Sequence, residues 1–144
     1  MKPKVYIDGK DGTTGLQIYD RLAARDDIGL LLIDEAKRKD PDERKRLMAE
    51  ADIVFLCLPD AAAVEAVALA EGSGARMIDA STAHRTAPGW VYGFPELRPG
   101  QREAIAGARH VANPGCHATG FISIVAPLVQ AGLLSADADL CCFS

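Results

Sequence analysis

Several features are scarce in this sequence of 144 residues, and each shortage excludes a class of protein. Only 6% of the residues are aromatic and the net charge is −4, so the chain lacks the basic, aromatic-lined stripe of a nucleic-acid binder. No apolar run reaches the ~20 residues that span a bilayer, and no secretory leader precedes the first strand pattern. We therefore expect a cytoplasmic protein with neither a nucleic-acid nor a membrane partner.

A recognisable cysteine pattern is absent as well. The chain has four cysteines, and their spacing fits neither a disulfide framework nor a metal site: Cys57, Cys116, Cys141 and Cys142. We expect reduced thiols and no bound metal. The remaining composition, 49% hydrophobic and 25% charged, is that of an ordinary globular domain long enough to bury a core.

A glycine-rich turn follows the first strand pattern, residues 4–8, and precedes a helical pattern over residues 16–25. Strand, turn and helix in this order are typical of a phosphate-binding turn, although the spacing here is G-x-x-G-x-x-G. The candidate cofactor-binding residues of the turn are Gly9, Gly12, Thr13, Thr14 and Gly15. Gly9 would allow the tight turn, Gly12 a close approach of phosphate, and Gly15 close packing of the helix. The alternative is an ordinary strand-to-helix turn.

The residues after the second strand pattern bear on the choice of cofactor. Residues 28–33 form a continuous apolar run, which predicts a strand buried on both faces. Asp34 follows about twenty residues after the turn, where an acid usually binds the ribose 2′-hydroxyl of NAD. Lys37, Arg38 and Lys39 come next and could neutralise the 2′-phosphate of NADP, unless they form a solvated loop. These residues alone leave NAD and NADP both open.

Helix and strand patterns alternate through the rest of the chain. Asp40 is predicted to cap a helix with Glu43 in the capping-box position, and Asp60 to cap another. The inward face of the second helix is predicted to be Val64, Val67 and Ala68. The alternation predicts an α/β fold, a doubly wound parallel sheet like the Rossmann NAD(P)-binding domain. Its ligands bind beyond the carboxyl ends of the strands.

Four segments follow predicted strand ends and are therefore expected to line one crevice: the glycine turn, residues 59–60, residues 81–85 and Cys116. Ser81 is a further candidate for cofactor binding. It opens residues 81–99, a long irregular stretch of the kind that is usually functional. Within this stretch His84 and Arg85 could bind an anionic substrate, with a solvated loop as the alternative.

Cys116 lies between the Pro114-Gly115 turn and the apolar run of residues 121–134, which predicts a helix. A helix N-terminus favours the thiolate form of a cysteine, and the thiolate is the nucleophile. The alternative is a buried structural cysteine. His117 could add positive charge to this site if it is protonated.

Four motifs carry a resemblance to a known family: Gly9-x-x-Gly12-Thr-Thr-Gly15, Asp79-Ala-Ser-Thr-Ala-His-Arg85, Tyr92-Gly-Phe-Pro-Glu-Leu97 and Asn113-Pro-Gly-Cys-His-Ala-Thr-Gly120. In this order they resemble N-acetyl-gamma-glutamyl-phosphate reductase of arginine biosynthesis, in its short, type 2 form. The resemblance implies NADPH-dependent reduction of N-acetyl-L-glutamyl 5-phosphate to the 5-semialdehyde, through a thioester on Cys116, with release of phosphate. It also favours NADP over NAD, and we take Arg85, Asn113 and His117 as candidate ligands of substrate or phosphate.

The resemblance also suggests a longer protein. Residues 139–144 read as a strand with no closing turn, so we expect a fragment. Residues 1–134 would be the dinucleotide-binding domain with the cysteine helix, and 135–144 the start of a largely absent α+β substrate domain carrying an acid/base histidine. The fragment alone would then be inactive, and the full-length protein a homo-oligomer, either a dimer or a tetramer. The alternatives are aspartate-semialdehyde dehydrogenase, whose cysteine motif usually lacks the Pro-Gly pair, and a nucleotide-binding module without catalysis.

Overall fold

A computed structural model describes residues 2–143 of the protein. Its strands are β1 (Lys4–Asp8), β2 (Gly29–Leu31), β3 (Ile53–Leu56), β4 (Arg76–Asp79), β5 (Val91–Tyr92) and β6 (His110–Ala112). Its α-helices are α1 (Thr13–Ala23), α2 (Pro41–Glu50), α3 (Asp60–Leu69), α4 (Gln101–Gly107) and α5 (Cys116–Gln130). A single 3₁₀ turn, Glu35–Lys37, follows β2 within these residues.

The strands form one parallel sheet in the order β2-β1-β3-β4-β6-β5. The chain leaves β1 towards β2 on one side, and β3 then pairs with β1 on the other side. The order of the strands therefore reverses between β1 and β3, which opens a crevice beyond their carboxyl ends. This topology confirms the predicted doubly wound parallel sheet.

One face of the sheet packs against α2 and α3 and carries the main core. Tyr6, Val54, Leu56 and Met77 point to this face from three neighbouring strands, and all are almost fully buried. Met48 of α2 covers them. From α3 the buried residues are alanines: Ala63, Ala66 and the capping Ala70. The predicted inward face is therefore wrong for Val64, which is 53% exposed, and for Ala68, which is exposed, whereas Val67 is half-buried and packs against the core.

The other face of the sheet has less cover. Residues of β3 and β4 alternate between the two faces, which places Ile53, Phe55 and Ile78 on this one. All three are only half-buried. Gly15 is the one buried residue of α1, and α5 contributes none. The helix α5 continues through Pro127 as far as Gln130. In the described residues no helix is long and apolar enough to cross a bilayer.

Three predicted elements differ from the structure. Residues 28–33 do not form a strand buried on both faces, because β2 is a three-residue edge strand that pairs with β1 alone and is half-buried. The irregular stretch after Ser81 contains the edge strand β5. Residues 139–143 form no strand, and Ser144 of that prediction lies outside the described residues.

The two predicted helix caps have different outcomes. Asp40 caps α2 by accepting hydrogen bonds from the amides of Asp42 and Glu43, as predicted. The carboxylate of Glu43 pairs with Arg46 instead of closing a capping box. At α3 the N-cap is Pro59, and the carboxylate of Asp60 accepts hydrogen bonds from Thr82.

Candidate functional site

The glycine turn is held by close contacts between backbone segments. Gly9 has a φ of +85°, and a Cβ there would collide with the carbonyl oxygen of Cys57. A Cβ on Gly15 would collide with the carbonyl oxygen of Gly9 and lie 2.7 Å from the Cα of Lys10. These contacts agree with the roles predicted for Gly9 in the tight turn and for Gly15 in helix packing.

Gly12 differs from its two neighbours in the motif. It is exposed at the N-cap of α1, and its added Cβ would lie 3.5 Å from the Gly9 oxygen, an ordinary contact. Packing within the protein therefore does not require glycine there. Thr13 and Thr14 are exposed in the first turn of α1, whose leading amides have no partner within the helix. Their contact with a phosphate stays a prediction.

A cleft of about 610 Å³ opens at the carboxyl ends of β1 and β3, where the strand order reverses. The residues that shape it include Gly9, Gly12, Arg38, Lys39, Cys57 and Pro59. Lys37, predicted to bind the cofactor, is exposed and is not one of the lining residues. The cleft occupies the position at which doubly wound sheets bind nucleotides.

The acidic and basic cues for the cofactor are separated in the structure. Asp34 caps the 3₁₀ turn, where its Oδ1 accepts a hydrogen bond from the Ala36 amide at 3.0 Å. The guanidinium of Arg38 reaches across the cleft to Asp11 of the glycine turn, with 3.0 Å between Nη1 and Oδ2. The acid in the ribose position is thus partly engaged by backbone and Arg38 by Asp11, and Arg38 lines the cleft together with Lys39, Asp11 and Glu35.

A buried charge pair behind the glycine turn was not predicted from the sequence. Asp8 and Arg44 are both buried, with 2.8 Å between Oδ2 and Nη2. Tyr6 donates a hydrogen bond to Asp8 at 3.3 Å, and burial together with the Asp8 charge raises the pKa of Tyr6 well above its usual value. Burial, with Asp8 and Asp79, also raises the pKa of the Cys57 thiol to about 11. The signal for this pair in the sequence is Asp8, a charged residue at the end of a buried strand, which needs a partner of opposite charge.

Cys116 is the first residue of α5. Gly115 forms the N-cap in an extended conformation, and its carbonyl accepts a hydrogen bond from the Thr119 amide at 2.9 Å. The predicted position of Cys116 at a helix N-terminus is confirmed, because α5 begins at this residue. The alternative of a buried structural cysteine is wrong, because Cys116 is exposed. Nearby, Asn113 donates from its backbone amide to the carbonyl of Asp79.

Arg85 lies directly against the peptide that precedes Cys116. A Cβ on Gly115 would come within 2.5 Å of Nη1 and 2.9 Å of Cζ of this arginine. The Nε of Arg85 is buried and has no hydrogen-bond partner among residues 2–143. A guanidinium at the start of a helix adds its charge to the positive end of the helix dipole. The structure thus brings together two predicted site residues, Arg85 and Cys116.

Ser81 and His84 make hydrogen bonds inside the protein. Both groups bind the buried carboxylate of Asp79, through the amide and hydroxyl of Ser81 and through Nδ1 of His84. His84 is 8% exposed, so the solvated-loop alternative is wrong for its ring. Cofactor binding by Ser81 remains a prediction, since its hydroxyl is already engaged.

The predicted single crevice is divided between two cavities. Cys116 and His117 line a separate cavity of about 560 Å³ between α5 and residues 140–143, while the glycine turn lines the cleft at β1 and β3. Two contacts connect the loop after β4 with the segments on either side of it. The Thr82 amide donates to the carboxylate of Asp60 at the start of α3, and Arg85 packs on Gly115 before α5. All these groups lie beyond the carboxyl ends of the parallel strands.

Comparisons with known proteins support this reading of the fold. The family model described as semialdehyde dehydrogenase, NAD binding domain, matches residues 33–108. Aspartate semialdehyde dehydrogenase II of Vibrio cholerae has a TM-score of 0.69 at 17% identity, over 91% of this chain and 47% of that one. The Candida albicans enzyme, solved with NADP, has a TM-score of 0.63 at 15% identity, over 91% and 48%. At such identities the likeness concerns the fold alone.

Curated relatives are much more similar in sequence. The chain is 61% identical to N-acetyl-gamma-glutamyl-phosphate reductase of Trichormus variabilis over 133 residues, 92% of this chain and 41% of that protein. It is 59% identical to the Brucella ovis protein of the same name over 138 residues, 95% and 44%. The resemblance drawn from the four motifs is thereby confirmed. The chain spans about two fifths of the length of these relatives.

Proposed function

Because this chain belongs to the family described as semialdehyde dehydrogenase, NAD binding domain, we propose that it binds NADP and carries the nucleophile of an acyl-phosphate reductase. The reaction proposed for the complete gene product is NADPH-dependent conversion of N-acetyl-L-glutamyl 5-phosphate to N-acetyl-L-glutamate 5-semialdehyde and phosphate. The observation that carries the proposal is Cys116, exposed at the first position of α5 with the Arg85 guanidinium against the preceding peptide. The relatives bearing the reductase name support the choice of substrate.

The cleft at β1 and β3 has the features that a dinucleotide requires. The backbone of Gly12 is exposed and no side chain of the described residues covers it, which leaves space for a ligand. The first backbone amides of α1 favour the binding of an anion. Thr13 and Thr14 would add hydroxyl donors. When bound, the cofactor supplies the hydride that reduces a thioester. A cradle of glycine backbone and helix N-terminus thus fits its pyrophosphate.

NADP is preferred over NAD in this proposal because of the charges that line the cleft. Arg38 and Lys39 lie on the lining, where a 2′-phosphate would meet cations. Asp34 is engaged in capping the 3₁₀ turn, which makes it a weaker partner for a ribose hydroxyl. We keep Lys37 as a candidate that contributes positive charge from outside the lining.

Cys116 is proposed to act as the nucleophile. Its thiolate attacks the acyl carbonyl carbon, a C–S bond forms, and the C–O bond to phosphate breaks to give a thioester and free phosphate. The amides at the start of α5 stabilise the negative charge that develops on the carbonyl oxygen. After reduction, the C–S bond breaks, the aldehyde leaves and Cys116 returns to its thiolate.

The groups around Cys116 are proposed to bind the anionic substrate. Arg85 offers a guanidinium beside the helix start, which suits a phosphate or carboxylate. Asn113 and His117 lie near the cysteine in the sequence and are exposed, and we keep both as candidate ligands of substrate or phosphate. Ser81 follows the carboxyl end of β4, and we keep it as a candidate for cofactor binding.

Site-resolved alkylation tests the nucleophile in the chain itself. At pH 7.5 we expect iodoacetamide to label Cys116 at least 100-fold faster than Cys57, whose thiol is half-buried with a pKa of about 11. Chymotryptic peptides quantified by mass spectrometry report the rates separately, because cleavage after Phe121 separates Cys116 from Cys141 and Cys142. Equal rates for Cys116 and the also exposed Cys141 would remove the basis for a catalytic cysteine.

Fluorescence titration with NADPH tests the cofactor site. We expect Gly12→Ala and Arg38→Gln each to weaken binding about tenfold with little loss of stability, and Gly72→Ala, remote from the cleft, to leave affinity unchanged. Arg38→Gln should weaken NADPH more than NADH, because only NADPH carries the 2′-phosphate. If NADH and NADPH bind equally well before and after this change, the NADP assignment is wrong.

The reaction is tested with the complete gene product. Phosphate-dependent reduction of NADP+ is compared for N-acetylglutamate semialdehyde and aspartate semialdehyde, with Cys116→Ser as the inactive control. Preference for aspartate semialdehyde would replace the proposed substrate. Retained activity in Cys116→Ser would exclude the thioester mechanism, and sedimentation of the same sample would establish whether it is the proposed dimer or tetramer.

A further inference from the structure

We infer that His84 is a positioning residue for Arg85. By binding the buried carboxylate of Asp79 and stacking on Trp90, it holds the guanidinium of Arg85 against the peptide that precedes Cys116. This inference rests on the proposed function, because it concerns the anion-binding side of the same cysteine. It assigns a role to a side chain that itself is too buried to touch substrate.

The carboxylate of Asp79 is the fixed point of this arrangement. It is completely buried at the carboxyl end of β4. The amide of Ser81 donates to Oδ1 at 2.9 Å, and the hydroxyl of Ser81 donates to Oδ2 at 2.7 Å. Nδ1 of His84 lies 2.6 Å from the same Oδ2, and since an ionised carboxylate only accepts, Nδ1–H is the donor. Hydrogen bonds to a buried charged group are among the stronger ones in a protein.

An aromatic stack holds the other side of the His84 ring. The ring centroids of His84 and Trp90 are 4.2 Å apart with 16° between their planes. Trp90 stacks in turn on His110 of β6, at 4.9 Å and 24°. His84 is therefore tied both to β4, through Asp79, and to β6, through Trp90. Residue 84 can move only if one of these two interactions breaks.

Arg85 depends on this tie because the Nε of its guanidinium is buried and no hydrogen bond among the described residues fixes that side. Hydrogen bonds from Thr82 and, to a smaller extent, the charge of Arg85 lower the pKa of Asp60, so this carboxylate is the charged group that Arg85 faces. The guanidinium nevertheless lies against Gly115, where even a Cβ would not fit. A neighbour fixed one position earlier in the chain restricts the backbone from which the long Arg85 side chain starts. Holding His84 thus holds the cation beside α5.

Two alkylating reagents of different charge measure the position of this cation. Iodoacetate is an anion and iodoacetamide is neutral, so the ratio of their rates at Cys116 reports the local positive charge and cancels the thiol's intrinsic reactivity. Arg85→Gln should lower this ratio about fourfold, as expected for losing one charge ~5 Å away at the dielectric constant of water, ~80. Thr86→Ala, an exposed change in the same loop, should leave the ratio unchanged.

The decisive variants alter His84 in two ways. His84→Phe keeps a ring for Trp90 but removes the donor to Asp79, and we expect it to lower the ratio nearly as far as Arg85→Gln. The double variant should show no further decrease, because both changes remove the same charge from Cys116. His84→Asn places an amide donor near the position of Nδ1 and should retain at least half of the wild-type ratio.

Each other outcome counts against the inference. An unchanged ratio in folded His84→Phe, or additive losses in the double variant, would show that His84 does not act through Arg85. Slow labelling of half-buried Cys57 reports that a variant is folded. If His84→Phe and His84→Asn both expose Cys57, His84 is a folding residue and the inference is overturned. Failure of the proposed function is separate, since Cys116 would then label no faster than the exposed Cys141 in the wild type.

Discussion

Replacing three glycines by alanine separates steric from conformational roles in the fold. At Gly15 the added Cβ would collide with the Gly9 carbonyl oxygen and lie 2.7 and 2.8 Å from the Cα and carbonyl oxygen of Lys10. At Gly72 nothing lies within 4 Å, but φ is +82°. At Gly12 the nearest atom is 3.5 Å away and φ is −76°, so an alanine has both space and an ordinary conformation.

The magnitudes follow from these contacts. For Gly15→Ala the atoms that must move belong to the backbone of the turn, and such overpacking costs about 3 kcal/mol. Alanine gains about 1 kcal/mol over glycine within a helix, which leaves a net loss of about 2 kcal/mol. Gly72→Ala should cost about 1 kcal/mol for the left-handed conformation. Gly12→Ala should cost only about 0.5 kcal/mol, because alanine is a poorer N-cap residue than glycine but meets no steric conflict.

Urea unfolding followed by circular dichroism at 222 nm measures all three variants under one condition. With an m-value of about 2 kcal/mol/M, a loss of 2 kcal/mol lowers the midpoint by about 1 M. The expected order of midpoints is Gly12→Ala, then Gly72→Ala, then Gly15→Ala. If Gly15→Ala unfolds at the same urea concentration as Gly12→Ala, α1 does not pack as closely on the turn as described.

Three further measurements test the buried charge pair and the helix start. Arg44→Met should destabilise the fold by about 3 kcal/mol in urea unfolding, because the buried carboxylate of Asp8 loses its partner. The double variant Asp8→Asn/Arg44→Met should recover part of this loss. An Arg44→Met variant as stable as the wild type would mean that water reaches the carboxylate. The pKa of Tyr6 is raised in the folded state. Above pH ~10 the phenol is therefore ionised in the unfolded chain but still protonated in the folded protein, so the unfolded state binds fewer protons. Stability should therefore fall between pH 9 and 11, less so in Tyr6→Phe, and an identical decline in both would contradict this cause. Asp40→Ala should cost about 1 kcal/mol by removing the cap of α2, whereas the neighbouring Asp42→Ala should cost much less; equal costs would argue against the cap.

The predictions that succeeded rest on signals within a few residues. The turn from Gly9 to Gly15, the cap at Asp40 and the helix start at Cys116 each depend on local backbone chemistry. The alternation of strands and helices was sufficient for the parallel sheet, because parallel strands need a crossover between them. The prediction of which residues of α3 face the core was largely wrong, because nearly every residue of that helix is apolar. Its hydrophobic pattern therefore does not show which side packs against the sheet.

The partners of charged side chains could not be read from the sequence. Asp8 pairs with Arg44, which is 36 residues away, and the carboxylate of Asp60 bonds to Thr82 instead of capping its own helix. Nothing close to these residues in the chain indicates the pairing. The same holds for the second cavity, which separates Cys116 from the glycine turn although both follow strand ends.

The sequence by itself determined the alternation of strands and helices, the glycine turn and the placement of a cysteine at the start of a helix. These features depend on the φ/ψ preferences and hydrogen bonds of neighbouring residues, which act whatever the rest of the chain does. Only the tertiary structure decided that Arg85 lies on Gly115 and that His84 binds Asp79. Those contacts arise where the loop after β4 packs on β6 and α5, and their geometry exists only once the sheet has assembled.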